Sequence, residues 1–310
     1  MMRLGLNQLR VFEAVTRCGS FLKAAERLAV TPPAVSLQIR QLEEACAAPL
    51  FERLGRRVRL TSAGETLRDY AAQIFALVTD AERAMEHDRG FANARLRIVT
   101  SATAAAYYLP PLWTALTHRY PGLQVEVAVE NSQRVQERLV SLTDDIGVLG
   151  GETTHPDLVF VPFVHDLLAV IVPPSHPWAK RRSITAKALR GERLILREVG
   201  SASRALIERE LRHHGVQCQA AMQIASNEVI KRAVEIGNGV SLMSRAVISR
   251  EIESGHLHAV ALRERGFSRT LHLAYHRQRQ QSVLIQTVLS VAAALRVGKS
   301  AAHHRGARSH

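Results

Sequence analysis

The hydrophobic period of this chain changes once, at Gly90, and that switch limits what the chain can fold into. Up to Gly90 the apolar residues recur at helical spacing; beyond it, short β-branched runs alternate with helical stretches. Period decides which side chains share a face, so a helical unit must be followed by an α/β one.

Leu6, Leu9, Phe12 and Val15 or Thr16 make the apolar stripe of a first helix, Leu6 to Arg17, and Cys18-Gly19-Ser20 ends it. Ser20 is a good cap for a second helix, Phe21 to Leu28, whose Ala24-Ala25 pair lets a neighbouring helix approach closely. Thr31 caps a third helix that runs to about Cys46. Its Pro32 and Pro33 occupy the first helical positions, where a missing N–H costs least. Val35, Ile39, Leu42 and Cys46 face inward, while Ser36, Arg40 and Glu43 point elsewhere. The spacing predicts a helix-turn-helix with the third helix as reader. From Pro49 the chain enters a hairpin closed by Thr61 to Gly64, in which Arg53, Arg56, Arg57 and Arg59 stand against Glu52. A basic wing of this kind can lie along a sugar-phosphate backbone.

Net charge points the same way only locally. The 310 residues hold 41 Lys+Arg and 28 Asp+Glu, a net +13. Residues 1–90 contribute +2, residues 91–262 +3 and residues 263–310 +8. The excess therefore lies mostly at the C-terminal end, and a case for nucleic acid has to rest on the wing. A chain 46% hydrophobic and 22% charged is not a disordered, collagenous or disulfide-scaffold sequence. Apolar stretches such as Leu167 to Pro174 are too short to span a bilayer, and MMRLGLNQLR lacks a signal-peptide core, so a cytoplasmic protein without membrane partners is expected. Cys18, Cys46 and Cys218, odd in number and without a C-x-x-C pair, read as reduced thiols; a redox-sensing variant would need a resolving partner.

The stretch LRVFEAVTRCGSFLKAAERLAVTPPAVSLQIRQLEEACAAPLFERLGRRVRLTSAG resembles the winged helix-turn-helix of LysR-type transcriptional regulators. The resemblance implies base or phosphate contacts from Pro32, Pro33, Ser36 and Arg40 to a double-stranded DNA operator, and backbone contacts from Arg53, Arg56 and Arg57. Pro32 stands where family members often carry Gln, and Leu37 where many carry Arg; neither side chain donates a hydrogen bond, which leaves apolar contact. From Ser62 to Arg89, Leu67, Tyr70, Ile74, Leu77, Ala81 and Ala84 follow heptad steps. A dimerising helix is expected, with Leu67, Tyr70, Ile74, Leu77 and Ala81 as its seam; packing on its own chain is the alternative. The family's linker helix, which pairs two chains, is what the resemblance implies, with a homotetramer built from dimers and contact with RNA polymerase.

Beyond Gly90, strands are expected at Leu96–Thr100, Leu123–Val129, Ile146–Leu149, Leu168–Val172, Leu194–Leu196, Met222–Ala225, Val240–Met243 and Leu271–Tyr275. Helices are expected at Tyr107–Tyr120, Gln133–Leu142, Arg204–His213, Glu228–Ile236, Arg245–Glu253 and Ser282–Leu295. Such alternation predicts parallel sheets in two lobes that meet near Pro162 to Asp166, with a cleft between them. Thr100-Ser101-Ala102-Thr103 and Gly200-Ser201-Ala202-Ser203-Arg204 leave strands for helices, and hydroxyls with free N–H groups there suit an anion. Ordinary helix capping is the other reading. Candidate effector ligands are Ser101, Thr103, Ser201, Ser203 and Arg204, with Asn131 and Asn227 as weaker additions.

This half is similar to the LysR effector-binding domain, an α/β two-lobed fold like periplasmic binding proteins, which extends the resemblance over residues 6 to 297. Tyr108-Leu109-Pro110, Leu196-Arg197-Glu198 and Ser226-Asn227-Glu228 resemble the CbbR-type regulators of carbon-fixation operons. That implies a small phosphorylated or nucleotide effector and no cofactor; a non-phosphorylated acid for another operon is the alternative. The expected organisation is a DNA-binding domain at 1–61, a linker helix at 62–90, lobe one at 91–163 and 267–298, lobe two at 164–266, and a disordered basic tail at 299–310. An enzyme is the competing class. G-x-S-x-G, H-E-x-x-H, a Walker loop and G-x-G-x-x-G after a strand are all missing, and the histidine pairs lack companion ligands for a metal.

Overall fold

The structure, a computed structural model, describes residues 4–54, 57–87, 91–92, 94–151 and 153–306. The chain divides into two compact units, Met1–Thr79 and Asp80–His310.

Three helices open the first unit: α1 (Leu6–Cys18), α2 (Phe21–Leu28) and α3 (Pro32–Cys46). Gly19 ends α1 at φ 60°, a left-handed conformation that glycine adopts without strain, and its N–H closes on the Val15 carbonyl. The Ser20 hydroxyl caps α2 by accepting from the Lys23 N–H. Thr31 sits at the cap position of α3, but its hydroxyl makes no capping bond. Pro33 has no N–H to offer, and the Ala34 N–H goes to the Thr31 carbonyl instead, at 3.0 Å. Phe12, Val15, Ala24, Ala25, Val35, Ile39 and Leu42 fill the core. Cys46, expected on the same inward face, is half-buried.

Strands β1 (Phe51–Leu54) and β2 (Arg57–Leu60) pair antiparallel as the wing. The Phe51 ring packs on Phe12 and Phe21, centroids 5.3 and 5.7 Å away. One carboxylate oxygen of Glu43 accepts from the Leu50 N–H at 2.8 Å and the Phe51 N–H at 3.3 Å, tying the start of the wing to α3.

Helix α4 (Ser62–His87) follows, and it corrects the expected single seam. Leu67 and Ala71 are buried in the core of the first unit, and Ile74 packs against it. The three short helices leave one side of that core open, and the first turns of α4 close it. Tyr70 and Leu77, 60% and 57% exposed, and the exposed Ala81 are the seam positions left open. The boundary between units thus falls inside the helix, not at residues 62 and 90: Leu67 and Ala71 belong to the first core, whereas Asp80 and Arg83 enter a buried ion cluster of the second unit.

The second unit comprises β3 (Arg95–Ser101), α5 (Ala102–Tyr107), α6 (Pro110–Arg119), β4 (Gln124–Glu130), α7 (Ser132–Val140), β5 (Ile146–Leu149) and β6 (Leu158–Val172). Then come β7 (Ser183–Ile184), β8 (Leu194–Leu196), α8 (Ala202–His213), β9 (Ala220–Gln223), α9 (Asn227–Glu235), β10 (Ser241–Ser244), α10 (Ser249–Glu253), β11 (His258–Leu262), β12 (Ser268–His276) and α11 (Val283–Gly306). The main sheet runs β4-β3-β5-β12-β6-β11-β7, with β10 also on β6; β8 and β9 pair separately.

Several expectations change. The sheets are mixed, not parallel: β3 runs parallel to β4 and β5, but β12 is antiparallel to both β5 and β6 because the chain returns to lobe one without a crossover helix. Strand β6 starts at Leu158, ten residues before the expected strand. Pro162, which cannot donate to a ladder, interrupts the pattern there, and the register shift at Leu271/His272 opposite it absorbs the defect. Strands β7, of two residues, and β11, of five, were not expected. Pro110 and Pro111 open a fresh helix and split the expected Tyr107–Tyr120 helix into α5 and α6. Helix α10 keeps only Ser249–Glu253 of the expected Arg245–Glu253. Helix α11 continues to Gly306, where a disordered tail was expected from residue 299.

Two cores form. One gathers Leu96, Ile98, Leu112, Val148, Phe163, Leu271 and Leu284; the other gathers Leu168, Val170, Leu194, Leu206, Val240 and Phe267. Strands β6 and β12 pass from one to the other, so the lobes are joined by continuous sheet. Among the described residues no helix is long and apolar enough to cross a membrane, and no cluster of three His, Cys, Asp or Glu side chains could hold a metal.

Candidate DNA-reading face and interlobe site

Burial of Val35, Ile39 and Leu42 turns the opposite side of α3 outward, and Pro32, Pro33, Ser36, Leu37 and Arg40 are all exposed on it. These positions recur at one and four residues, one face of a helix. Arg40 makes no ion pair among the described residues, so its charge is available to a phosphate. The rigid prolines fix the start of the helix, and Leu37 presents a methyl surface of the kind that meets thymine. Beside it, β1 and β2 set the backbones of Arg53 and Arg57 in register with Val58 and Leu54. Arg56 and the side chains of Arg53 and Arg57 lie outside the described residues. Arg59, on β2, is exposed.

In the second unit the expected effector residues fall into two groups. The first lies where α5 meets α9. The Asn227 amide donates to the Thr103 hydroxyl at 3.4 Å and its carbonyl oxygen accepts from Arg197 Nη1 at 2.8 Å, a polar bridge between lobes. Arg197 is itself held by Glu198 in a two-point pair at 2.8 and 3.0 Å. The Ser101 hydroxyl, at the start of α5, is buried and makes no hydrogen bond. The second group surrounds a cavity of about 330 Å³ lined by Ser132, Gln133, Gly150, Gly151, Ser201 and Arg204. The Gln133 N–H donates to the Gly200 carbonyl at 3.1 Å, so the lobes touch at its edge. Gly200, at φ 88°, is needed there: a Cβ would lie 3.0 Å from the Gln133 side chain.

The other candidates have partners within the protein. Asn131 caps α7 by accepting from the Arg134 N–H at 3.0 Å and donates through Nδ2 to the Val199 carbonyl of the other lobe at 3.5 Å, and Ser203 pairs with Ser201 at 2.9 Å. Arg204 donates through Nε to Glu208 at 2.7 Å and through Nη1 to Gln223 at 2.6 Å and the Arg197 carbonyl at 3.1 Å. It is therefore less free than the expected phosphate fork. Burial first, then the Glu208 charge, pushes the Cys218 thiol up, away from a reactive thiolate.

A knot at the strand crossing was missed entirely. Asp166 on β6, 1% exposed, accepts from Arg269 Nε on β12 at 2.9 Å, from the Ser244 hydroxyl on β10 at 2.5 Å and from the Tyr108 hydroxyl at 3.0 Å. Burial, reinforced by the Asp166 charge, pushes the Tyr108 hydroxyl up to about 12. These four residues come from four distant segments; a charged residue inside the apolar run after Phe163 was the sole signal.

A chain built this way is a transcriptional regulator: one unit has the fold and exposed face of a DNA reader, and the other the two-lobed form that receives a small molecule. Residues 6–65 match the bacterial regulatory helix-turn-helix protein family, lysR family, and residues 89–295 match the LysR substrate binding domain. The chain belongs to the LysR family. It is 33% identical to the HTH-type transcriptional activator CmpR of Synechocystis sp. over 92% of this chain and 93% of that protein. It is 36% identical to the RuBisCO operon transcriptional regulator of Allochromatium vinosum over 91% of this chain and 93% of that one. Among solved structures, a full-length OxyR variant from Pseudomonas aeruginosa shares the fold at TM-score 0.74 and 21% identity, covering 94% of this chain and 95% of that one. The regulatory domain of CcmR from Synechocystis PCC6803, solved in complex with 2-PG, aligns at TM-score 0.61 and 30% identity over 65% of this chain and 97% of its own length.

Proposed function

We propose that this regulator controls carbon-fixation genes, and that a small phosphorylated or nucleotide metabolite bound between the lobes alters how it binds or bends its operator. The carrying observation is the Asn227–Thr103 bridge, which lets a ligand change the lobes' relation by competing for those polar groups. The relatives named for RuBisCO operon control and the CcmR domain solved with 2-PG support the choice of genes and ligand class. Arg40 and the wing arginines contact phosphates, with Pro32, Pro33 and Ser36 against bases or backbone. Tyr70, Leu77 and Ala81 pair two chains, and the cytoplasmic assembly is a dimer or tetramer that meets RNA polymerase.

A thermal-shift screen of phosphorylated sugars and nicotinamide nucleotides tests the effector. Stabilisation should appear with one class and vanish in Ser201→Ala or Thr103→Ala. Footprints of the operator with and without that compound should differ; identical footprints under a ligand that binds would end the gating reading. A non-phosphorylated acid is the second reading, favoured by the commitment of Arg204 to Glu208 and Gln223, and the same screen with carboxylic acids separates the two.

A further inference from the structure

The geometry points to a second anion site, in lobe two and apart from the interlobe groups: a cavity of about 580 Å³ bordered by Arg182, Arg245, Arg263 and Arg265 that takes a small multivalent oxyanion, phosphate or carboxylate. The volume lies in the range of small-molecule sites. Four arginines border one cavity, against a single acidic lining residue, Glu264, whose carboxylate accepts from the Ala186 N–H at 2.8 Å. Among the described residues Arg182, Arg245 and Arg265 make no ion pair, and Arg263 donates only to the Ser183 hydroxyl, at 3.3 Å.

The four side chains are exposed, but the backbones of three of them are tied into the fold. The Arg182 carbonyl accepts from the Ala261 N–H at 3.2 Å, the Arg263 N–H donates to the Ile184 carbonyl at 3.0 Å, and the Arg245 N–H donates to the Leu167 carbonyl at 2.9 Å. The fold therefore fixes where three of the four arginines leave the backbone around the cavity, and an anion there would offset their like charge. Planar guanidinium groups donate paired N–H bonds to two oxygens of a phosphate or carboxylate at a time. Half-exposed Leu167 supplies an apolar wall for the body that carries the oxyanion. None of the interlobe residues borders this cavity.

Titration calorimetry of the full-length protein with inorganic pyrophosphate and with citrate, in low-salt buffer, tests the site and separates the two oxyanion sources. At least one probe should bind saturably. R245A/R263A should weaken it by about tenfold or more, R182Q/R265Q should do the same from different segments, and S201A/N227A should leave it unchanged. The folding of every variant is checked by circular dichroism. Absence of saturable binding by either probe overturns the proposal, as does equal affinity in wild type and both arginine pairs, or loss in S201A/N227A instead. If the arginine pairs lose affinity for duplex DNA of unrelated sequence while neither probe saturates, the cavity serves nucleic acid and the proposal fails.

Discussion

Arg279 donates two hydrogen bonds to the carboxylate of Asp80, 199 positions earlier in the chain, Nη2 to Oδ1 at 2.7 Å and Nε to Oδ2 at 3.1 Å. Its Nη1 also reaches the buried carboxylate of Asp145. Arg83 Nη2 and the Arg97 N–H meet the other oxygen of Asp145 at 2.9 and 2.8 Å, and the Ser282 hydroxyl donates to Asp80 at 3.0 Å. The last turns of α4, the start of β5 and the approach to α11 are thus joined by one buried ion cluster.

Removing Arg279 takes away the cation that Asp80 and Asp145 share, leaving Arg83 and Arg97 to offset both carboxylates. Arg279→Met is expected to cost about 3–5 kcal/mol of stability in the second unit. Urea unfolding followed by fluorescence measures it, and a loss below that of an exposed arginine would contradict the role assigned to the cluster.

Acid should release the same cluster. Burial alone would raise the Asp145 carboxyl, but the charges of Arg279, Arg83 and Arg97 outweigh it and hold the group well below the usual carboxylate range. A depressed pKa in the folded state means stabilisation that is present above the ordinary aspartate pKa of about 4 and lost as the pH falls beneath it. Melting temperatures taken from neutral pH down to roughly pH 3 should fall more steeply in the wild-type protein than in Asp145→Asn.

Tyr108 makes the opposite prediction at high pH. Its hydroxyl is pushed up to about 12, so its stabilisation is complete below the ordinary tyrosine pKa of about 10 and is lost as the pH rises through its folded value. Tyr108→Phe removes one donor from buried Asp166 and should cost about 1–3 kcal/mol near neutrality. The variant should also show a shallower alkaline loss of stability than the wild type.

Gly64→Ala probes the junction of the wing with α4. A Cβ at Gly64 would lie 2.2 Å from the Leu50 carbonyl oxygen, a backbone atom that cannot swing aside. Destabilisation of the first unit by about 1–3 kcal/mol is expected, together with weaker operator binding in a gel-shift assay.

Arg40→Ala and Arg59→Ala address the reading face. Each should weaken binding to all duplexes alike and reduce the slope of log affinity against log salt by about one per phosphate lost. An unchanged slope for either would show that its arginine touches no phosphate. Arg53→Ala carries the same expectation from the sequence resemblance.

Local signals account for what was legible. Glycine at the end of α1, serine before α2 and two prolines opening α3 act within a few residues, so the order of helices, turn and wing could be read along the chain. Ser201, Arg204, Thr103 and Asn227 were also marked by their hydroxyl-rich, strand-to-helix context, yet which of them meet was not legible. Thr103 and Asn227 lie 124 positions apart, and Ser201 faces Gln133 and Gly150, which carried no chemical signal of their own.

By itself, the sequence determined the winged helix-turn-helix, the long helix after it and the strand-and-helix alternation beyond Gly90, because periodicity, capping and turn chemistry are properties of neighbouring residues. Only the tertiary structure decided that Leu67 is core and not seam, that β6 and β12 carry the chain across both lobes, and that Asp166 and Asp145 keep their charges in the interior. Those outcomes depend on partners supplied from distant segments, and a buried carboxylate is tolerated only when such partners arrive together.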